Sequence, residues 1–310
     1  MKLIDIETFH LTHSQSPFFL RMEPCIMALG FFDGVHLGHQ KVIRTARQIA
    51  REKKVKLAVM TFAPHPKEVL SNGNTKVHYL TPLPVKVDIF DKLGVDRLYV
   101  ITFNQDFAEL SPQEFINQYV IGLGAIHVVA GFDFTYGFKG QGNMDTIGED
   151  GRGKFQVTQI PKLQFSDEKI SSTLIRQVIG EGDVERIPSF LGDYYETRGK
   201  ILLNARGHYS ADNTLIVSML PYFMLPAKGV YEIETYIDHQ KYQGIARIDG
   251  LENGSNFIEM KLFDRVTNLV NSMIKIKWIQ RRAKMQRGKL NLHFLSSNHF
   301  ESDYIVEGSH

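Results

Sequence analysis

The apolar residues of this chain change their period near residue 190, and that change sets the architecture. Before it, short apolar runs alternate with stretches of helical spacing. Residues 25–30 (C-I-M-A-L-G), 56–62, 97–103 and 126–131 read as buried strands. Residues 40–53 place Val42, Ile43, Ala46, Ile49 and Ala50 at helical spacing with Lys and Arg between them, which predicts an amphipathic helix. Residues 84–93 read as a second helix. Ser111-Pro112-Gln113-Glu114 is a capping box with Pro at the first helical position, opening a third helix to about Ile121. Strands and helices in alternation predict parallel βαβ units with helices on both faces of the sheet. Two short helices, 172–179 and 184–190, close this half. Beyond Leu191-Gly192 the period becomes two. Residues 229–238 (G-V-Y-E-I-E-T-Y-I-D), 256–263 and 273–279 alternate apolar with polar, which predicts a small antiparallel sheet or barrel. The expected fold class is α/β, a parallel sheet followed by a small β-barrel-like domain, with the boundary between 185 and 195.

The chain has 310 residues, room for two domains at ~100–200 residues each. Hydrophobic residues are 43% and charged residues 23%, enough apolar material to exclude global disorder. Lys and Arg number 36 against 34 Asp and Glu, a net charge of +2 that argues neither for nor against a nucleic-acid partner. The lone Cys25 excludes an intramolecular disulfide and a cysteine-based zinc site, and fits a reducing compartment. No run of 18 apolar residues is present to span a bilayer. Residues 1–13 carry Asp5 and Glu7 without an apolar h-region, so no signal peptide is expected. A cytoplasmic enzyme or binding protein is the class that remains.

The most informative segment is Gly30-Phe31-Phe32-Asp33-Gly34-Val35-His36-Leu37-Gly38-His39. It joins the first buried strand to the first amphipathic helix, where α/β sheets bind phosphates. Gly30, Gly34 and Gly38 permit tight turns and close approach of backbone to a ligand. His36 and His39 flank Leu37-Gly38, so both imidazoles can face one phosphate. The segment is neither a Walker loop nor a G-x-G-x-x-G dinucleotide fingerprint.

In this context the sequence resembles the H-x-G-H nucleotidyltransferase superfamily, and within it the bacterial riboflavin kinase/FAD synthetase family. Four further segments carry the resemblance in order: Thr61-Phe62-Ala63-Pro64-His65-Pro66, then Phe103-Asn104 through Phe107 to Phe115, then Gly131-Phe132-Asp133-Phe134-Thr135-Tyr136-Gly137, then Ile170-Ser171-Ser172-Thr173-Leu174-Ile175-Arg176. Each also has a plainer reading: a rigid turn at His65, core aromatics at Phe132 and Phe134, a helix N-cap at Ser171-Ser172-Thr173. The resemblance implies a Rossmann-like domain over 1–187 that joins ATP and FMN to give FAD and pyrophosphate, and a riboflavin-kinase-like barrel over 188–310. It implies that His36 and His39 donate to phosphate oxygens, that Ser171, Ser172, Thr173 and Arg176 hold the β- and γ-phosphates, and that Mg²⁺ arrives with ATP. Gly30, Phe31, Phe32, Asp33, Gly34 and Gly38 would shape the nucleotide pocket. Phe62, His65 and Pro66 would shape the flavin side, with Asn104 and Asp133 as polar contacts. The metal is expected on the substrate, with no dedicated protein site.

The second half departs from the family. The segments at 225–231, 242–250 and 258–264 resemble its kinase strands, and Glu259 stands where the family's catalytic glutamate would. The family's P-T-A-N is absent from residues 203–213, and the later R-x-E-x-K-F is altered at 281–290. Without the metal-holding Thr and Asn, the kinase half is expected to be inactive and retained as a scaffold or flavin-binding module. Residues 275–289 hold seven basic residues and no acid. They read as a solvated face, or alternatively as a nucleic-acid surface with Trp278 for stacking; a nucleic-acid partner is not expected. Three alternatives stay open: a fully bifunctional enzyme that also takes riboflavin, a non-catalytic flavin or nucleotide sensor, and transfer to another phosphorylated acceptor.

Overall fold

A computed structural model describes residues 6–13, 22–202, 214–237, 240–249, 256–264, 266 and 272–282. Six strands form one sheet: β1 (Glu7–Leu11), β2 (Cys25–Leu29), β3 (Lys56–Ala63), β4 (Arg97–Thr102), β5 (Ala125–Gly131) and β6 (Gln156–Ile160), in the order β1-β4-β3-β2-β5-β6. Every pair is parallel, and Ala28 of β2 lies in register with Val59 on one side and Val129 on the other. The central strands are apolar on both faces because both are covered, and all five residues of β2 are buried. The chain leaves β2 toward β3 and β4, then returns to β5 on the other side. The strand order therefore reverses at β2/β5, and a crevice opens at the carboxyl ends of that pair.

Three helices matter for the site. Helix α1 (Leu37–Lys53) follows β2 and buries Val42, Ile43, Ala46 and Ala50, the predicted apolar face. Helix α2 (Leu83–Leu93) stops at Gly94 in the left-handed region and buries Val85, Lys86 and Phe90. Helix α3 (Ser172–Glu181) is capped by Ser171, whose Oγ accepts the Leu174 N–H at 3.2 Å. The predicted capping box is present: Ser111 Oγ accepts from the Glu114 N–H, and the Glu114 carboxylate accepts from the Ser111 N–H at 2.8 Å. Its helix then widens to π geometry over Ile116–Ile121.

The second half is a closed antiparallel barrel of β7 (Tyr195–Leu202), β8 (Thr214–Met219), β9 (Gly229–Ile237), β10 (Gln240–Ile248), β11 (Phe257–Leu262) and β12 (Met273–Arg281), in the order β7-β8-β11-β10-β9-β12. Alternate residues point inward, as the period predicts. Ile258, Met260 and Leu262 fill the core, and Glu259 between them is half-buried on the outer face, paired across the sheet with Ile216 and Arg247. Trp278 faces inward and is fully buried, its Nε1–H donating to Thr197 Oγ1 at 2.9 Å. That corrects the stacking role considered for it: a ring sealed in the barrel cannot stack on a base. The outward Lys275 and Lys277 of the same strand pair with Asp88 at 3.2 Å and Asp193 at 2.7 Å. The altered kinase segments at 203–213 and 283–290 lie outside the described residues.

A short strap is one of the links between the halves. Tyr79 donates its N–H to the Tyr222 carbonyl at 2.7 Å and accepts from the Met224 N–H at 3.0 Å. Leu80 and Ile175 of the first half belong to the same buried cluster as Trp278, Tyr231 and Ile276 of the barrel.

Candidate active site

The turn leaving β2 is tightly built. Phe32 is buried with φ 54 and Gly34 has φ 88, both in the left-handed region. A Cβ on Gly30 would stand 2.9 Å from the Phe32 ring, so Gly30 is small because that ring folds back over it. Phe32 packs edge-on against His39 and Phe90. Asp33, 3% exposed, bolts the turn down. Its carboxylate accepts the N–H groups of Leu80 and Thr81 at 3.1 and 3.0 Å and pairs with Arg176 at 2.7 Å. Gly34 N–H donates to Thr81 Oγ1 at 2.7 Å, and Ser172 Oγ donates to the Asp33 carbonyl at 2.7 Å.

His36 caps α1, its Nδ1 accepting the His39 N–H at 3.2 Å. The two rings stack with centroids 3.6 Å apart and planes 14° from parallel. His36 is 7% exposed, and burial, with Lys169 adding to it against Asp133, pushes its imidazole down to about 4. Burial, then His36 and Lys86, hold His39 well below the ordinary histidine range. Both rings are therefore neutral at pH 7. With Nδ1 of His36 accepting, its one proton sits on Nε2, which leaves a single N–H to offer a ligand.

A buried neutral histidine also ties stability to pH. The unfolded chain takes up a proton near pH 6.5 that the folded His36 refuses until about 4. Stability is fully present above pH 6.5 and falls as pH drops toward 4, by about 3 kcal/mol for this group. Denaturation midpoints across that window should show the loss in the wild type and a shallower slope in His36→Asn.

One cavity of about 860 Å³ gathers most of the candidate residues. Gly30, Phe31, Phe32, His36, Gly38 and His39 line one wall, and Ser171, Ser172 and Thr173 line another. The N-termini of α1 and α3 thus open on the same space, and both supply N–H groups that their own helices leave unpaired. The remaining wall is largely aromatic. Phe62, Pro66, Phe103, Phe107, Phe115, Phe134, Tyr136 and Phe138 line it, and Phe62, Phe107, Phe115 and Tyr136 pack ring to ring. Asp133 lines the cavity beside Lys169, its ion-pair partner at 2.8 Å.

Five candidates stand back from the cavity: Asp33, Gly34, His65, Asn104 and Arg176. Asp33 and Arg176 are behind the turn, where Arg176 also donates to the His78 carbonyl at 3.1 Å. His65 caps the short helix Pro66–Leu70 and packs edge-on against Phe31, ring centroids 4.5 Å apart. Asn104 caps the next short helix, its Oδ1 accepting the Phe107 N–H at 2.9 Å. Cys25 is buried at the opposite end of β2, and burial pushes its thiol up to about 12, so it is no nucleophile. The basic groups Lys86, Lys139 and Lys169 were not singled out from sequence. Lys139 and Lys169 line the cavity.

Paired neutral imidazoles and two helix N-termini at the switch point of a parallel sheet form the cleft that carries the H-x-G-H signature. Comparison with known proteins narrows this. The FAD synthetase family model matches residues 20–174. A bifunctional riboflavin kinase/FMN adenylyltransferase of Bacillus subtilis is 41% identical over 283 residues, covering 89% of this chain and 90% of the relative. A FAD synthetase of Listeria monocytogenes is 29% identical over 237 residues, 76% of this chain and 91% of that one. A crystal structure described as a macrolide-efflux protein from Streptococcus pneumoniae superposes with a TM-score of 0.80 at 27% identity, covering 92% of this chain and 94% of the other. The chain belongs to the bifunctional riboflavin kinase/FMN adenylyltransferase family.

Proposed function

We propose that the sheet half is an FMN adenylyltransferase that makes FAD and pyrophosphate from ATP and FMN. The observation that carries this reading is a single cavity with stacked histidines and two helix N-termini at one end and an aromatic wall at the other. The first end suits a triphosphate, the second a planar isoalloxazine ring. An FMN phosphate oxygen attacks the α-phosphorus of ATP, the bond from that phosphorus to the bridging oxygen breaks, and pyrophosphate leaves. The nucleophile is already an anion at neutral pH, so no protein base is needed. Alignment and charge stabilisation remain as the protein's work. His36 and His39 donate N–H to the α-phosphate and the departing oxygens. The hydroxyls of Ser171 and Thr173 and the first-turn N–H groups of α3 receive the β- and γ-phosphates, and Ser172, whose Oγ donates to the Asp33 carbonyl, ties that helix start to the turn. Arg176, engaged by Asp33, adds its charge from behind the turn. Gly30, Phe31, Phe32, Gly34 and Gly38 shape the nucleotide side. Phe62 and Pro66 shape the flavin side; His65 and Asn104 act there as caps that hold its segments, and Asp133 offers a carboxylate at the rim.

Among the described residues no group of three or more His, Cys, Asp or Glu could hold a metal. Mg²⁺ enters as part of the Mg-ATP substrate. No helix among the described residues is long and apolar enough to cross a membrane, and the single cysteine fits a cytoplasmic enzyme.

A second reading adds riboflavin phosphorylation in the barrel. The Bacillus subtilis relative favours it, because its match spans both halves. The absence of P-T-A-N from residues 203–213 opposes it, and we place adenylyl transfer first. Chromatography of products from Mg-ATP with either FMN or riboflavin decides. FAD from FMN alone is expected. FMN from riboflavin establishes the bifunctional enzyme, and no product from either establishes a sensor.

A further inference from the structure

Beneath the turn lies a charged group that the signature motifs omit. Lys86 of α2 is 3% exposed. Its Nζ donates to the Phe31 carbonyl at 2.7 Å and stands 4.2 Å from the Phe31 ring centroid. The same carbonyl accepts from Thr61 Oγ1 at 2.9 Å. A buried ammonium ordinarily rests against a carboxylate. Among the described residues none lies within ion-pair distance of Lys86. Asp33 acts on it only from farther off, and its carboxylate is already engaged by Arg176 and two backbone N–H groups. The charged and titratable groups that face Lys86 are Asp33 from the turn, Arg176 from α3 and His39 from α1. His39 is neutral. One anion and two cations thus leave a positive charge in excess behind the turn, in a place where water screens it little.

We propose that Lys86 is a positioning residue for the nucleotide: it fixes Phe31 against the cavity and supplies the uncompensated positive charge that draws a triphosphate to the wall formed by Gly30, His36 and His39. The inference rests on the reading of this cavity as an ATP site. A direct backbone contact and a ring contact make Lys86 the support of Phe31. Its buried charge makes it an attractor that needs no contact with the ligand. Burial pushes the ammonium down to about 8, so the attraction fades as pH rises through that value.

The test is equilibrium binding of a non-hydrolysable ATP analogue with Mg²⁺ to the full chain, by calorimetry from pH 7 to 9.5, beside steady-state kinetics. In the wild type, affinity should weaken about tenfold across that range, the scale of one buried charge seen at a short distance. Lys86→Met should bind about tenfold more weakly at pH 7 and lose the pH dependence. KM for ATP should rise in step, with kcat and KM for FMN within about threefold. Lys86→Arg keeps the charge at every pH and should flatten the profile while holding affinity. A wild-type affinity that stays constant to pH 9.5 overturns the proposal without any variant. So does a folded Lys86→Met with wild-type affinity. If the wild type binds no analogue at all, the ATP-site reading itself fails, and that result is distinct from the other two.

Discussion

Replacing His39 with alanine is expected to lower kcat for FAD formation by about 10²–10³, the range for removing one donor to a developing charge. The histidine pair has a structural job as well, and the variants must separate the two. His36 caps α1 through Nδ1, and its ring stacks on His39. His36→Ala therefore removes a cap worth about 1 kcal/mol together with the Nε2–H. His36→Asn keeps a side-chain oxygen suited to the cap and removes the imidazole. It should hold the melting temperature close to wild type while losing the same 10²–10³ in turnover. KM for ATP should change far less than kcat, because a donor aimed at the reacting phosphate contributes most in the transition state. FAD formation within threefold of wild type in His36→Asn or His39→Ala would remove the assignment.

Both halves of the fold were legible because their hydrophobic periods differ. What escaped did so for physical reasons. Strand β1 (E-T-F-H-L) and strand β6 (Q-V-T-Q-I) lie at the two edges of the sheet and keep exposed residues, so neither shows an apolar run. Strand β7 alternates as the barrel requires, but two of its inward positions are Thr197 and Gly199, which hides the period. Helix α2 was found, yet Lys86 within it looks like any solvent-facing lysine. Only the tertiary structure shows it beneath Phe31.

The site divides along the same line. His36, His39 and the start of α3 were readable because a glycine turn between strand and helix, and a Ser-rich helix start, are local patterns. Lys139 and Lys169 and the full aromatic wall converge from segments far apart in sequence. No spacing announces them. Trp278 shows the opposite hazard: a tryptophan among basic residues suggested a surface, whereas the strand alternation that surrounds it sends the ring into the barrel.

Asp33→Ala is expected to cost about 3–5 kcal/mol of folding stability, the range for breaking a buried ion pair by removing one partner. Asp33 was placed by sequence in the nucleotide pocket, but its carboxylate points away from the cavity and into the frame of the molecule. It satisfies the backbone N–H groups of Leu80 and Thr81 and neutralises Arg176. Truncation leaves two buried donors unpaired and a guanidinium beside the already unpaired Lys86. Arg176 is only partly buried and can turn toward water, so Arg176→Ala should cost less, about 1–2 kcal/mol. In the double variant the stranded cation is gone, and the loss should fall short of the sum by about 1–3 kcal/mol. The strap that Asp33 holds also pairs with Tyr222 and Met224 of the barrel. Release of the carboxylate should therefore raise amide hydrogen exchange at Tyr79 and Met224 as well as in the turn. Chemical denaturation of the three variants measures the coupling. Additive losses, with exchange at Met224 unchanged, would show that Asp33 braces the turn alone and that the barrel is docked by its other contacts, the Lys275–Asp88 pair and the shared apolar cluster among them.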